Sequence, residues 1–219
     1  MGYTYVIRHG VTAWNASGRL QGEADVPLSE SGRSQAFRIA QGVRHLNLDH
    51  LYCSPLSRAV ETARIIRQLH PGLTHSTDDR LSEMKFGRFS GKTLDEIGGE
   101  APGLLDSRAL DQWSFRWPGG ENYEDVQCRV TDFLQAHPLT HAIASGDQLI
   151  VAHETSNVVM IGTLLGSERY EIVQYGQPNT VIYRIRDQEV EHLDIENHSE
   201  GWIAGMVIKN KYHSGSVRW

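Results

Sequence analysis

Apolar residues recur along this chain with two periods that alternate. Residues 3–7 form a short run of aromatic and β-branched side chains and read as a strand. Ser29 stands where a helix N-cap belongs. It precedes Ala36, Phe37, Ala40, Val43 and Leu46 at three- and four-residue spacing, the stripe of an amphipathic helix. Residues 51–53 then read as a short strand and 56–69 as a second helix, stopped by Pro71-Gly72. Later the same alternation predicts a helix over 123–136, an apolar strand over 149–152, an apolar helix over 156–165 and a hairpin from 181–185 and 190–195. Strands separated by helical crossovers predict an α/β sheet protein. Residues 93–120 break the rhythm with Gly98-Gly99, Pro102-Gly103 and Pro118-Gly119-Gly120, and carry Trp113 and Trp117. That stretch reads as an insertion over one end of the sheet. No repeat of fixed period and no low-complexity segment interrupts the chain, and the polar residues from Lys209 onward read as a mobile end.

Composition narrows the organisation. With 219 residues, 39% of them hydrophobic, the chain suffices for one packed domain and argues against two. The expected arrangement is a single domain over 1–219 with a lid-like insertion at about 93–122. The formal net charge of −6 is opposite in sign to that of a general nucleic-acid binder. Of the 21 cations, 17 are Arg and only four are Lys (Lys85, Lys92, Lys209, Lys211). Base composition explains such a skew; so does a need for planar, bidentate contacts to phosphate or carboxylate.

Cys53 and Cys128 stand far apart, which gives neither a disulfide framework nor a zinc spacing and suits a reducing cytoplasm. The first residues lack the basic-then-apolar pattern of a signal peptide, and Val6 in place of Ser or Thr ends any myristoylation pattern. No apolar run approaches the ~18 residues of a spanning helix. A cytoplasmic protein without membrane or nucleic-acid partners is expected, so the Asn-x-Ser matches at Asn15 and Asn197 are chance.

Arg8-His9-Gly10 follows the first strand, at the edge where α/β sheets place their ligands. Alone, the tripeptide is as easily a solvated loop as an anion site. It continues as Val11-Thr12-Ala13-Trp14-Asn15, then Gly18-Arg19-Leu20-Gln21-Gly22, Asp25, Pro27-Leu28-Ser29 and Gly32. Ser54-Pro55-Leu56-Ser57-Arg58-Ala59-Val60-Glu61-Thr62-Ala63 follows the second strand. Leu81-Ser82-Glu83, Gly87-Arg88-Phe89-Ser90-Gly91, Pro118-Gly119-Gly120-Glu121 and Val151-Ala152-His153 complete the series. In this order the motifs resemble those of the histidine phosphatase superfamily, with the phosphoglycerate-mutase-like fold, over about residues 3–165. The resemblance implies a three-layer α/β sandwich, a mostly parallel central sheet with helices on both faces and a helical insertion over the active site.

The residue types suit that chemistry. Phosphoryl transfer needs charge neutralisation on the equatorial oxygens, an in-line nucleophile and a proton for the leaving oxygen. Arg8 and Arg58 offer two guanidinium forks and His153 a further N–H donor. His9, kept neutral beside the arginines, is the candidate nucleophile through a phosphohistidine intermediate. Glu83 is the candidate acid and base, although a loop carboxylate is often only solvated. Asn15, Gln21 and Gly22 match positions lining the phosphate pocket, and each also fits ordinary turn chemistry. No metal and no cofactor is expected. His137 and His141 stand four apart but flank Pro138, which breaks a helix, and Asn157 excludes a His-Glu-x-x-His motif starting at His153.

Two departures matter. Smaller members of the superfamily carry Gly after the second histidine, where this chain has Glu154. The acid-phosphatase and phytase branch uses a carboxylate there as proton donor. Glu154 is therefore a second candidate acid, or a contact to a cationic or hydroxylated substrate. Its plainest reading is a carboxylate favoured by a helix N-terminus, worth ~0.3 to 1 kcal/mol. The chain also has Glu83-Met84-Lys85-Phe86-Gly87 where phosphoglycerate mutases carry Glu-Arg-His-Tyr-Gly, and it lacks their longer insertion. Hydrolysis of a small-molecule phosphomonoester is the favoured reading, with a phosphoglycerate-type mutase as the alternative. An idle phospho-ligand module ranks below both, because all five chemical positions are filled. Trp113, Phe115, Arg116 and Trp117 either form local core or line the leaving-group pocket. The substrate's identity is not legible, and oligomeric state stays open, a homodimer included.

Overall fold

The computed structural model describes residues 2–137, 139, 146–196 and 201–209. The sequence readings on Pro138, His141, Asn197 and the chain beyond Lys209 lie outside these residues. Seven strands form one sheet: β1 (Thr4–Arg8), β2 (Leu48–Cys53), β3 (Thr74–Thr77), β4 (Asp147–Ala152), β5 (Val181–Arg186), β6 (Glu189–Asp194) and β7 (Ile203–Ala204). Their order is β3-β2-β4-β1-β5-β6-β7. The β3–β2, β2–β4 and β4–β1 pairs are parallel, and β5 to β7 continue antiparallel from β1, so five of the seven strands share one direction. β1 and the second half of β4 are buried on both faces, as a sheet covered on both sides requires.

The helices are α1 (Ala13–Ala16), α2 (Glu30–Val43), α3 (Ser57–Arg67), α4 (Leu94–Glu100), α5 (Leu104–Leu110), α6 (Tyr123–Ala136), α7 (Glu154–Leu165) and α8 (Arg169–Ile172). α2 and α3 cover the face of Tyr5, Ile7, Leu51, Leu149 and Val151. α6 and α7 cover the opposite face with Val6, Ile150, Ala152 and Tyr183. The fold is thus a three-layer α/β sandwich. Because β1 leads to α2 on one face and β4 to α7 on the other, a crevice opens at the carboxyl ends of these neighbouring strands.

Local chemistry explains most of the elements. Ser29 caps α2 by accepting from the Gly32 amide, and Ala36, Ala40 and Val43 are buried on it. Phe37 departs from the expected stripe: it is 45% exposed, and Ile39 takes the place in the core. The β5–β6 hairpin turns through Asp187 and Gln188, both at positive φ, as a tight two-residue hairpin turn requires. β3, with sequence Thr-His-Ser-Thr at the sheet edge, has no alternation that a sequence pattern could detect. Within the inserted stretch, Thr93 and Glu96 form a capping box on α4, whereas α5 buries no residue. Trp113 and Trp117 are buried in the core cluster with Phe89 and Tyr123. Phe86 and Phe115 each meet the Trp117 ring edge-on, with centroids 5.4 and 5.3 Å away. No helix among the described residues is long and apolar enough to cross a membrane.

Candidate active site

Register brings the distant motifs together. Arg8, the last residue of β1, pairs with Ala152, the last of β4, so His9 and His153 leave adjacent strands side by side. The His9 amide donates to the Ala152 carbonyl at 3.0 Å, and the Ser54 amide, just past β2, donates to Val151 at 3.1 Å. The His9 and His153 rings are 5.1 Å apart between centroids. The loop after His9 presses onto the start of α2. A Cβ on Gly10 would collide with the Gly32 carbonyl, and one on Gly32 with that of Val11. The Gly10 amide donates to Thr62 Oγ1 of α3 at 3.1 Å, tying the loop to the helix that carries Arg58.

His9 is 2% exposed. Its Nδ1–H donates to the Gly10 carbonyl at 2.7 Å, which leaves the Nε2 lone pair free for chemistry. Burial, then Arg58, then Arg8 hold its pKa well below the ordinary histidine value, so the ring is neutral. The sequence pointed to the neighbouring arginines; burial is the larger cause. Burial first, with Arg58 next, likewise keeps His153 neutral. His153 Nε2 lies 2.8 Å from Ser54 Oγ.

Arg58, at the second position of α3, is fully buried. Its Nη1 and Nη2 donate to the Ala24 and Gly22 carbonyls at 2.8 and 2.7 Å, and Gly22 reaches this position at a φ of +55°. Burial lowers its pKa to about 10, which still leaves a cation at neutral pH. Arg8 Nη1 donates to the Gln177 carbonyl at 3.0 Å and contacts Glu154 Oε2 at 2.8 Å. Asn15 Oδ1 accepts from the Thr12 amide at 3.0 Å, and Gln21 Oε1 lies 3.0 Å from the Thr12 hydroxyl. Glu83 is 8% exposed, and its Oε1 accepts from the Met84 amide at 2.8 Å. Among the described residues Asn15 Nδ2, Arg58 Nε and His153 Nδ1 are buried without a hydrogen-bond partner. Asn15 and Arg58 line the cavity of the site, where a ligand could complete their bonding.

A cavity of about 700 Å³ opens here, lined by Arg8, His9, Asn15, Gln21, Gly22, Arg58, Glu83 and Glu154. Of the nine residues singled out in the sequence, His153 alone does not line it, its ring packing against that of His9. The inserted stretch adds Leu94, Arg108, Gln112 and Trp117, so Trp117 is both core and cavity wall. Among the described residues no group of three His, Cys, Asp or Glu side chains gathers as a metal site.

Sequence reasoning missed the buried amides behind the site. Gln177 Nε2 donates to the Val6 carbonyl at 2.9 Å, Asn157 Nδ2 to Gln177 Oε1 at 2.7 Å, and Asn179 Nδ2 to the His9 carbonyl at 2.6 Å. In sequence these are ordinary polar residues; the packing of α7 against β1 encloses Asn157, and Gln177 and Asn179 are enclosed where the chain enters β5 beside β1. Ser54 lay within a quoted motif, yet nothing linear ties it to His153.

Comparison with known proteins gives the site a family. The histidine phosphatase superfamily (branch 1) matches residues 4–195. A Yersinia pestis (strain Pestoides F) protein named probable phosphoglycerate mutase GpmB is 31% identical over 199 residues, covering 91% of this chain and 89% of that protein. The structure of mycobacterial glucosyl-3-phosphoglycerate phosphatase with VO3 is 26% identical and superposes with a TM-score of 0.73 over 95% of this chain and 98% of its own. A putative alpha-ribazole-5'-P phosphatase from Escherichia coli str. K-12, 21% identical, shares the fold with a TM-score of 0.76 over 94% of this chain and 95% of its own. With matched residues running from β1 through the β5–β6 hairpin, the chain belongs to the histidine phosphatase superfamily, branch 1, and is an enzyme of that phosphatase superfamily.

Proposed function

We propose that the protein hydrolyses a small phosphomonoester through a phosphohistidine intermediate on His9. The observation that carries this reading is the buried, neutral His9, whose Nδ1–H is spent on Gly10 and whose Nε2 is available between two buried arginines. In the first step Nε2 attacks phosphorus in line and the bond to the leaving oxygen breaks, while Glu83 gives that oxygen a proton. In the second, Glu83 takes a proton from water. The resulting hydroxide attacks phosphorus, the P–N bond breaks, and phosphate leaves with neutral His9 restored.

Charge on the equatorial oxygens is met by Arg8, Arg58 and the unpartnered Asn15 Nδ2. His153, its Nε2 against Ser54 Oγ, packs beside the nucleophile and fixes it in place. Residues 1–219 act as one domain in this reading, and 93–122 roof the leaving-group end. A reducing cytoplasm suits the free Cys53 and Cys128. Glu83 is preferred as the acid because the Gln21-Gly22 turn and the Gly87 to Gly91 run resemble the mutase-like branch, whereas Glu154 is paired with Arg8.

Side chains supply all the charge neutralisation in these steps, so turnover of p-nitrophenyl phosphate is expected to persist in EDTA and to vanish in His9→Ala. Full activity in His9→Ala removes the assigned nucleophile. The name carried by the 31% identical relative keeps a phosphoglycerate-type mutase as the second reading. That reaction would need a bisphosphate primer and release little free phosphate, whereas the hydrolase releases phosphate in step with alcohol.

A further inference from the structure

Glu154 occupies a position no other charged residue of the cavity shares. It is the first residue of α7 and follows His153 directly, and its Oε2 contacts Arg8 Nη1 at 2.8 Å. The same Nη1 donates to the Gln177 carbonyl at 3.0 Å, so the arginine is held from two sides. Only 17% of the Glu154 side chain is exposed, and the residue lines the cavity. Among the described residues no hydrogen bond or ion pair engages its Oε1. A fixed carboxylate with one uncommitted oxygen therefore stands beside the guanidinium that the phosphatase reading assigns to the phosphoryl group.

We infer that Glu154 selects the leaving group: one that is neutral and hydroxylated close to the phosphoester, and not one that carries a carboxylate or second phosphate there. This rests on the phosphatase reading above. A carboxylate oxygen only accepts hydrogen bonds, so a substrate hydroxyl satisfies it, whereas a like charge at that place is repelled in a site shielded from water. The remaining polar surface agrees. Gln177 and Asn179 spend their amides on backbone carbonyls. Of the other cations lining the cavity, Arg19 is paired with Glu96 and Lys209 donates to the Val173 carbonyl. Arg108, on the inserted α5, lies over the Trp117 ring, 5.8 Å from its centroid.

A matched pair of substrates tests this, since glycerol 2-phosphate and 2-phosphoglycerate differ only by a hydroxymethyl group against a carboxylate on the ester carbon. The wild-type enzyme is expected to favour glycerol 2-phosphate in kcat/KM, and both Glu154→Gln and Glu154→Gly are expected to lower that preference by about tenfold. Because the ratio is measured within one protein preparation, partial misfolding cancels. An unchanged ratio in both variants, or a wild-type preference for 2-phosphoglycerate, overturns the role of Glu154. Failure of the wild type to release phosphate from p-nitrophenyl phosphate overturns the phosphatase reading instead, and is read separately.

Discussion

Arg58 combines two tasks: it places a buried cation beside His9, where the proposed reaction develops negative charge, and it closes the turn at Gly22 and Ala24 by donating to both carbonyls. Arg58→Ala is expected to lower kcat/KM by roughly 10²- to 10³-fold and, by orphaning two carbonyls, to cost about 1–3 kcal/mol each where they stay dry. Steady-state kinetics and urea denaturation of the same preparation separate the two losses. Lysine keeps the charge but cannot span both carbonyls, so Arg58→Lys should recover little. For the two carboxylates the leaving group decides. Nitrophenolate departs without a proton and an alkoxide does not, so Glu83→Gln is expected to slow an alkyl phosphate about 10²-fold or more and p-nitrophenyl phosphate far less. A loss confined to Glu154→Gln would reassign the acid.

At the scale of elements, the site is a junction of strand ends. His9, the proposed nucleophile, is held because β1 lies between β4 and β5, and because the loop after it meets the first turn of α2 backbone to backbone at Gly10 and Gly32. A methyl group on Gly32 meets the Val11 backbone and has no flexible neighbour to displace. Gly32→Ala is therefore expected to destabilise the fold by about 1–3 kcal/mol and to reduce kcat by shifting the loop that carries His9. Wild-type kcat together with wild-type stability in that variant would show that the loop can move away at no cost. Ser29→Ala, which removes only the α2 cap, should cost about 1 kcal/mol with little effect on kcat.

The whole molecule buries His9 and His153 as neutral rings, which links stability to pH. Both folded-state pKa values lie well below the unfolded value of 6.5. As pH falls below that value, the unfolded chain takes up protons that the folded chain refuses, so stability drops. Each ring contributes a slope of up to about 1.4 kcal/mol per pH unit until its own folded pKa is reached. Above pH 6.5 the two contribute no slope. Denaturant melts from pH 7 to 5 check this, and His153→Asn should flatten the profile. The linear chain marked the candidate residues at the strand ends: Arg8-His9 and His153 directly follow runs read as strands, Arg58 lies in the first turn of the helix after another such run, and the order of these motifs, not any one of them, suggested the chemistry. Side-chain period also determined the main helices, though Ile39 rather than Phe37 entered the core because the facing strands, not the stripe, choose which residue is covered. Tertiary structure decided what depends on contact between distant segments: Ser54 against His153, the amides of Gln177 and Asn179 behind the nucleophile, and the pairing of Glu154 with Arg8. Polar residues in loops look alike in a sequence, and only enclosure, which removes water and leaves each donor to find a partner, separates those that hold the site from those that face solvent.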